Sequence, residues 1–112
     1  GRSKLFHRVA QWFEDFDLLL CPAAIVPPFD AEKRYVNQVD GNTFDNYSQW
    51  MAICYAITLT GCPALSVPCG FTEGGLPIGL QIVGQRFDDA TVLKIAAALE
   101  LDRPWAARRP PL

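Results

Sequence analysis

Thr60-Gly61-Cys62-Pro63-Ala64-Leu65-Ser66-Val67-Pro68-Cys69-Gly70-Phe71, followed by Gly75-Leu76-Pro77-Ile78-Gly79-Leu80-Gln81-Ile82-Val83-Gly84, decides the fold. It holds two short apolar runs, Ala64–Val67 and Ile78–Val83, separated by a turn rich in Gly. Short apolar runs bounded by Gly and Pro predict buried strands, with glycines where another backbone approaches closely. Downstream, Asp88 or Asp89 is placed to cap a helix over Asp89–Leu101, whose apolar stripe is Val92, Ile95, Ala96 and Leu99. That i, i+3, i+4, i+7 spacing is the helical one.

Upstream, Asp45–Leu59 begins with helical spacing and ends rich in β-branched residues, which predicts a helix over Tyr47–Ile57 closed by Gly61 and Pro63. Tyr35–Val39 and Thr43-Phe44 flank Asp40-Gly41-Asn42, the signature of a tight hairpin turn. Asp17-Leu18-Leu19-Leu20-Cys21 is continuously apolar and predicts a buried strand, stopped by Pro22. The prolines of Pro22–Phe29 force an extended loop. Ser3 is positioned to cap a first helix, Lys4–Phe16, carrying Leu5, Phe6, Val9, Trp12, Phe13 and Phe16 on its apolar face. Strands alternating with helices predict one α/β domain over 1–112. Its sheet is open and partial, mixed or mostly parallel, with helices on one or both faces. Residues 106–112 read as a flexible tail.

Half of the 112 residues are hydrophobic, one fifth are charged, and the mean hydropathy is +0.09. So apolar a composition in so short a chain predicts surface that belongs against something else, either upstream sequence or a second copy. The net charge of −2 gives no electrostatic footprint for nucleic acid. No apolar run reaches the length of a membrane span, and the start Gly1-Arg2-Ser3-Lys4 has neither Met nor a signal-peptide core. These features predict a processed, truncated or tag-derived end and a cytoplasmic chain whose thiols are reduced.

Hydrolytic chemistry needs a nucleophile, a base and oxyanion donors. The serines are Ser3, Ser48 and Ser66, the lysines Lys4, Lys33 and Lys94, and the sole histidine is His7. No spacing among them marks a catalytic set, so no catalytic residue is assigned. Cys21, Cys54, Cys62 and Cys69 lack the paired spacing of a zinc site and read as free thiols packed as small hydrophobes, with no metal. The glycines Gly70, Gly74, Gly75, Gly79 and Gly84 flank a strand with no helix starting directly behind them, which argues against a phosphate cradle and leaves no cofactor site.

The residue order over Gly61–Glu100, continuing to Arg103-Pro104-Trp105, resembles the carboxy-terminal end of the amidase signature family, serine hydrolases that cleave carboxamides. The match is strong over Gly61–Glu100 and weak before Asp45. The family's chemistry resides in a Gly-Gly-Ser-Ser-Gly-Gly-like run with a second serine and a lysine, and nothing here matches that run. The resemblance therefore implies a carboxy-terminal part of an amidase, with small-molecule amide as substrate only together with upstream sequence. Its stretch Trp50–Leu59 corresponds to a region beside the acyl pocket, which makes Trp50, Met51 and Tyr55 a candidate pocket wall. Members acting on glutaminyl substrates carry an Asp where Met51 stands, a Pro at Ala56 and an Asn at Thr58. An isolated chain of this kind is expected to be inactive and to self-associate, most simply as a homodimer. The alternative is a free-standing interaction module with the same fold.

Overall fold

The computed structural model describes residues 1–109. Helix α1 (Arg2–Asp15) leads into strand β1 (Leu18–Pro22), and a long extended loop then reaches the two-residue strands β2 (Gln38–Val39) and β3 (Asn42–Thr43). Helices α2 (Tyr47–Trp50) and α3 (Ala52–Thr60) follow, then strands β4 (Ala64–Phe71) and β5 (Pro77–Gly84), and finally helix α4 (Asp89–Asp102). The expected α/β class, a partial open sheet flanked by helices, is what this arrangement shows.

The strand order is β1-β5-β4, and both pairings are antiparallel, with Leu20 opposite Ile82 and Leu65 opposite Ile82. The mixed or mostly parallel direction expected from sequence is thereby corrected. The link from β4 to β5 is a tight turn, in which Thr72 N–H donates to Leu76 O at 2.8 Å, and a connection that short cannot carry a parallel crossover. β5 is the central strand, with Gln81 through Gly84 buried. β1, expected to be buried, is instead an edge, and its Leu20 is 54% exposed. β4 is the other edge, which is why it continues through Pro68: a proline's missing N–H is tolerated where no ladder partner waits.

Side chains alternate across this sheet and sort its faces. Val67 and Ile82 pack with Val92 and Ala96 of α4, joined by Leu18, Leu80 and Trp105. Leu19 and Val83 point the other way, toward Val9, Trp12 and Phe13 of α1 and Ile57 of α3. The result is a helix–sheet–helix sandwich only 20 Å thick along its shortest axis.

Local signals account for most ends. Asp88 caps α4, accepting from Thr91 N–H at 3.3 Å. Asp40 and Gly41 take positive φ, 47° and 77°, as the tight turn between β2 and β3 requires. Gly61 ends α3 in the left-handed conformation at φ 71°. Two helices differ from expectation. α1 starts at Arg2 with Gly1 as its cap, so Ser3 lies within the first turn. The single helix expected over Tyr47–Ile57 is split at Met51, whose ψ of 5° interrupts the spiral although Cys54 N–H still donates to Met51 O at 3.0 Å. Of the tail expected over 106–112, residues 110–112 lie outside the described residues, while Arg108 stands 3.6 Å over the Phe71 ring.

Candidate functional site

Pro22 ends β1 and sends the chain across the end of the sheet, where Ala23 N–H donates to Gly79 O at 2.9 Å. Gly79 is needed there: a Cβ at that position would sit 2.8 Å from the Ala23 Cβ. Two side chains fix the loop from beneath. Gln81 Nε2 donates to Pro22 O at 3.1 Å, and Cys54 Sγ donates to Ala23 O at 3.4 Å. Between this loop, the start of β5 and Trp50 of α2 lies a cleft of about 420 Å³, walled by apolar residues such as Ile25, Pro28 and Phe29. Trp50 is set by aromatic neighbours, with Phe29 edge-on at 5.7 Å and Tyr47 tilted at 5.5 Å. α2 is held in turn by Asn46, which accepts from Gln49 N–H at 3.0 Å, while Gln49 Oε1 accepts from Asp45 N–H at 2.9 Å.

The three residues singled out by sequence occupy different places. Trp50 lines the cleft just described, and Tyr55 lines a second, more open one of about 620 Å³ with Asp40, Asn42 and Gln49. Ile25 borders both, and Met51 is the half-buried break between α2 and α3. Sequence reading named the helix side of the first cleft and missed the loop side. The run of apolar residues among the prolines of 22–29 was the available signal, since an extended apolar loop needs a surface to lie on.

Ser3 and Lys4 are exposed on α1, Ser48 on α2, Lys33 in the long loop and Lys94 on α4. Ser66, expected in a buried strand, is exposed on the edge strand β4, opposite Gln81. Among the described residues no hydrogen bond joins a serine hydroxyl to a lysine amine. His7 is exposed and lies edge-on to Phe6 at 5.5 Å, and no group of three metal-ligating side chains gathers among the described residues.

Burial, and secondarily the nearby Cys54 thiol, raises Cys21 above its ordinary range. A thiol with a raised folded-state value binds its proton more tightly folded than unfolded, so its contribution is intact below the unfolded value and is lost as pH rises from there through the folded one. The stability of the chain is therefore expected to fall on the alkaline side, and less steeply in Cys21→Ala. Cys21 is also expected to react with iodoacetamide at neutral pH more slowly than an unstructured cysteine peptide. Equal rates, followed by mass spectrometry of the Cys21 peptide, would contradict the assignment.

The fold occurs in the amidase signature enzymes. A bacterial aryl acylamidase of that family superposes with a TM-score of 0.78 at 32% identity, over 98% of this chain and 24% of its own. 6-Aminohexanoate cyclic dimer hydrolase superposes at 0.80 and 31% identity, over 97% of this chain and again 24% of its own. In sequence, a glutamyl-tRNA(Gln) amidotransferase subunit from Thermosynechococcus vestitus is 38% identical over 99% of this chain and 22% of its own. The chain belongs to the amidase family, whose model matches residues 1–93. It spans about a fifth of the length of the curated relatives it matches. No described helix is long and apolar enough to cross a membrane.

Proposed function

We propose that this chain is the carboxy-terminal part of a cytoplasmic amidase that hydrolyses the C–N bond of small or aromatic carboxamides. Upstream sequence supplies the Ser-Ser-Lys catalytic set, and this part contributes sheet strands and pocket walls, with Trp50 in one cleft, Tyr55 in the adjoining one and Met51 at the helix break between them. The observation that carries the reading is the one-sided coverage, nearly all of this chain against about a quarter of each amidase structure. The shape of the chain supports it. The Cα radius of gyration is 15.9 Å, against roughly 13 Å for a compact domain of this length. The accessible surface is 8349 Å², where a compact 12.4 kDa monomer exposes about 6100 Å². α3 carries no charged residue, yet its Leu59 is exposed, and on α4 Leu93 and Leu101 are exposed outside the stripe that packs on the sheet, which is the pattern of helices meant to be covered. Met51, standing where glutaminyl-specific members have a carboxylate, favours neutral amides.

The encoding reading frame tests the proposal. A long upstream frame containing a Gly-Ser-Ser-Gly-rich run and a preceding lysine sustains it. A start codon next to Gly1 would leave the stand-alone interaction module instead.

The same surface excess leads us to expect that the isolated chain self-associates. Both β1 and β4 are open edges, and unpaired edges are templates for pairing. The excess of about 2200 Å² per chain exceeds the roughly 800 Å² that each partner buries in a standard interface. Sedimentation equilibrium at micromolar concentration should give a mass near twice 12.4 kDa, and a single species at 12.4 kDa that persists on concentrating would exclude the dimer.

A further inference from the structure

No charged side chain lines the cleft between the β1 exit loop and α2. Its walls are Ala, Ile, Val, Pro, Phe and Gly apart from Trp50, whose indole Nε1 is the one polar side-chain atom they contain. That atom is buried and has no hydrogen-bond partner among the described residues. Buried N–H groups are nearly always paired, and an unpaired one in a native fold calls for an acceptor that is absent or for a function. The cleft is held open rather than collapsed. Ala23 is tied to Gly79 and Cys54 is tied to Ala23, while the Trp50 ring lies beside those of Phe29 and Tyr47 with no hydrogen bond fixing it among the described residues. At about 420 Å³ it falls within the size of small-molecule sites, which are apolar with a few placed polar groups.

We infer that this cleft is a specificity subsite for an uncharged apolar group bearing one hydrogen-bond acceptor, with a small turn of the indole bringing Trp50 Nε1–H to that acceptor. Identifying the acceptor as a carboxamide oxygen rests on the amidase reading; the preference for neutral over charged occupants does not. A carboxylate or ammonium entering here would lose its hydration with no counter-charge to replace it. The adjoining cleft around Tyr55 differs on this point, since Asp40, Asn42 and Gln49 line it, so the two clefts select opposite chemistries although they share Ile25.

The test uses the isotope-labelled chain and three probes of one ring size: acetanilide, phenylacetate and benzylammonium. The Trp50 indole N–H signal is assigned by its loss in Trp50→Phe, a change that keeps an aromatic wall and removes the donor. Acetanilide at millimolar concentration is expected to move this signal downfield and leave those of Trp12 and Trp105 in place. The two charged probes are expected to leave it unmoved. In Trp50→Phe, acetanilide binding followed at the Ala24 and Gly79 amides should weaken several-fold. An unmoved Trp50 signal, an equal response to all three probes, or undiminished binding by Trp50→Phe would each overturn the inference. None of these results touches the amidase reading, which stands or falls on the upstream frame and on hydrolysis by the complete enzyme.

Discussion

The purified 112-residue chain is expected to release no ammonia from aliphatic or aryl amides above a buffer control. Amide hydrolysis by a serine enzyme needs a hydroxyl made nucleophilic by a base within hydrogen-bond reach. Ser66 is exposed on the β4 edge opposite Gln81, while Lys94 is on α4, which packs against the other face of the sheet. Ser3 and Lys4 are neighbours on one exposed helix turn, and successive helical side chains diverge rather than meet. Cys54 and Cys69 spend their thiols on the backbone oxygens of Ala23 and Ile78, and burial keeps Cys21 protonated. Losing a nucleophile or its base costs on the order of a million-fold in hydrolytic enzymes, and binding contacts do not replace it. The readout is ammonia from a panel of amides, with an enzyme containing this chain and its upstream sequence as the positive control. Turnover that survives repurification and is blocked by a serine- or cysteine-directed reagent would overturn the expectation.

Elements with a self-contained local signal were legible in the sequence. α4 has a capping aspartate and an apolar stripe, of which Val92, Ala96 and Leu99 pack on the sheet while Ile95 is exposed, and the β2–β3 turn has Asp-Gly, so neither element depends on distant residues. Strand direction was not legible, because a continuous apolar run says only that both faces are covered and not which way its neighbour runs. The edge position of β1 was hidden for a related reason: Leu18-Leu19-Leu20 looks like an interior strand, yet Leu20 is half exposed. The break at Met51 has no Gly or Pro to announce it, and only its ψ of 5° reveals it. At the candidate site, Trp50 and Tyr55 were legible as aromatic residues on a helix. That they face two clefts, one free of charge and one carrying Asp40, depends on where the 22–29 loop and the β2–β3 hairpin fold back. Those are long-range placements, and a single sequence carries no periodicity for them.

Gly84→Ala is expected to destabilise the chain by about 1–3 kcal/mol, the usual cost of overfilling a packed site. Gly84 closes β5 under the first turn of α4, and its N–H donates to Pro63 O at 3.0 Å. A Cβ there would lie 2.5 Å from Val92 Cγ2 and 3.4 Å from Asp88 O. Neither neighbour can yield easily. Val92 is 3% exposed in the core with Ile82 and Ala96, and Asp88 is the residue that caps α4. The added methyl must therefore lift α4 from the sheet or force Val92 off its rotamer, either of which loosens the one buried cluster on that face. Small domains retain a net stability of only ~5–15 kcal/mol, so the melting temperature should fall on the order of 10 °C. Gly70→Ala is the control, since a Cβ there meets nothing within 4 Å, and its effect should be neutral or slightly stabilising. Trimming the obstacle should show the cause. In the Val92→Ala background the further cost of Gly84→Ala should shrink markedly, a coupling that a double-mutant cycle in denaturant reads directly. Equal midpoints for Gly84→Ala and the parent chain would mean that α4 is not seated on Gly84 as described.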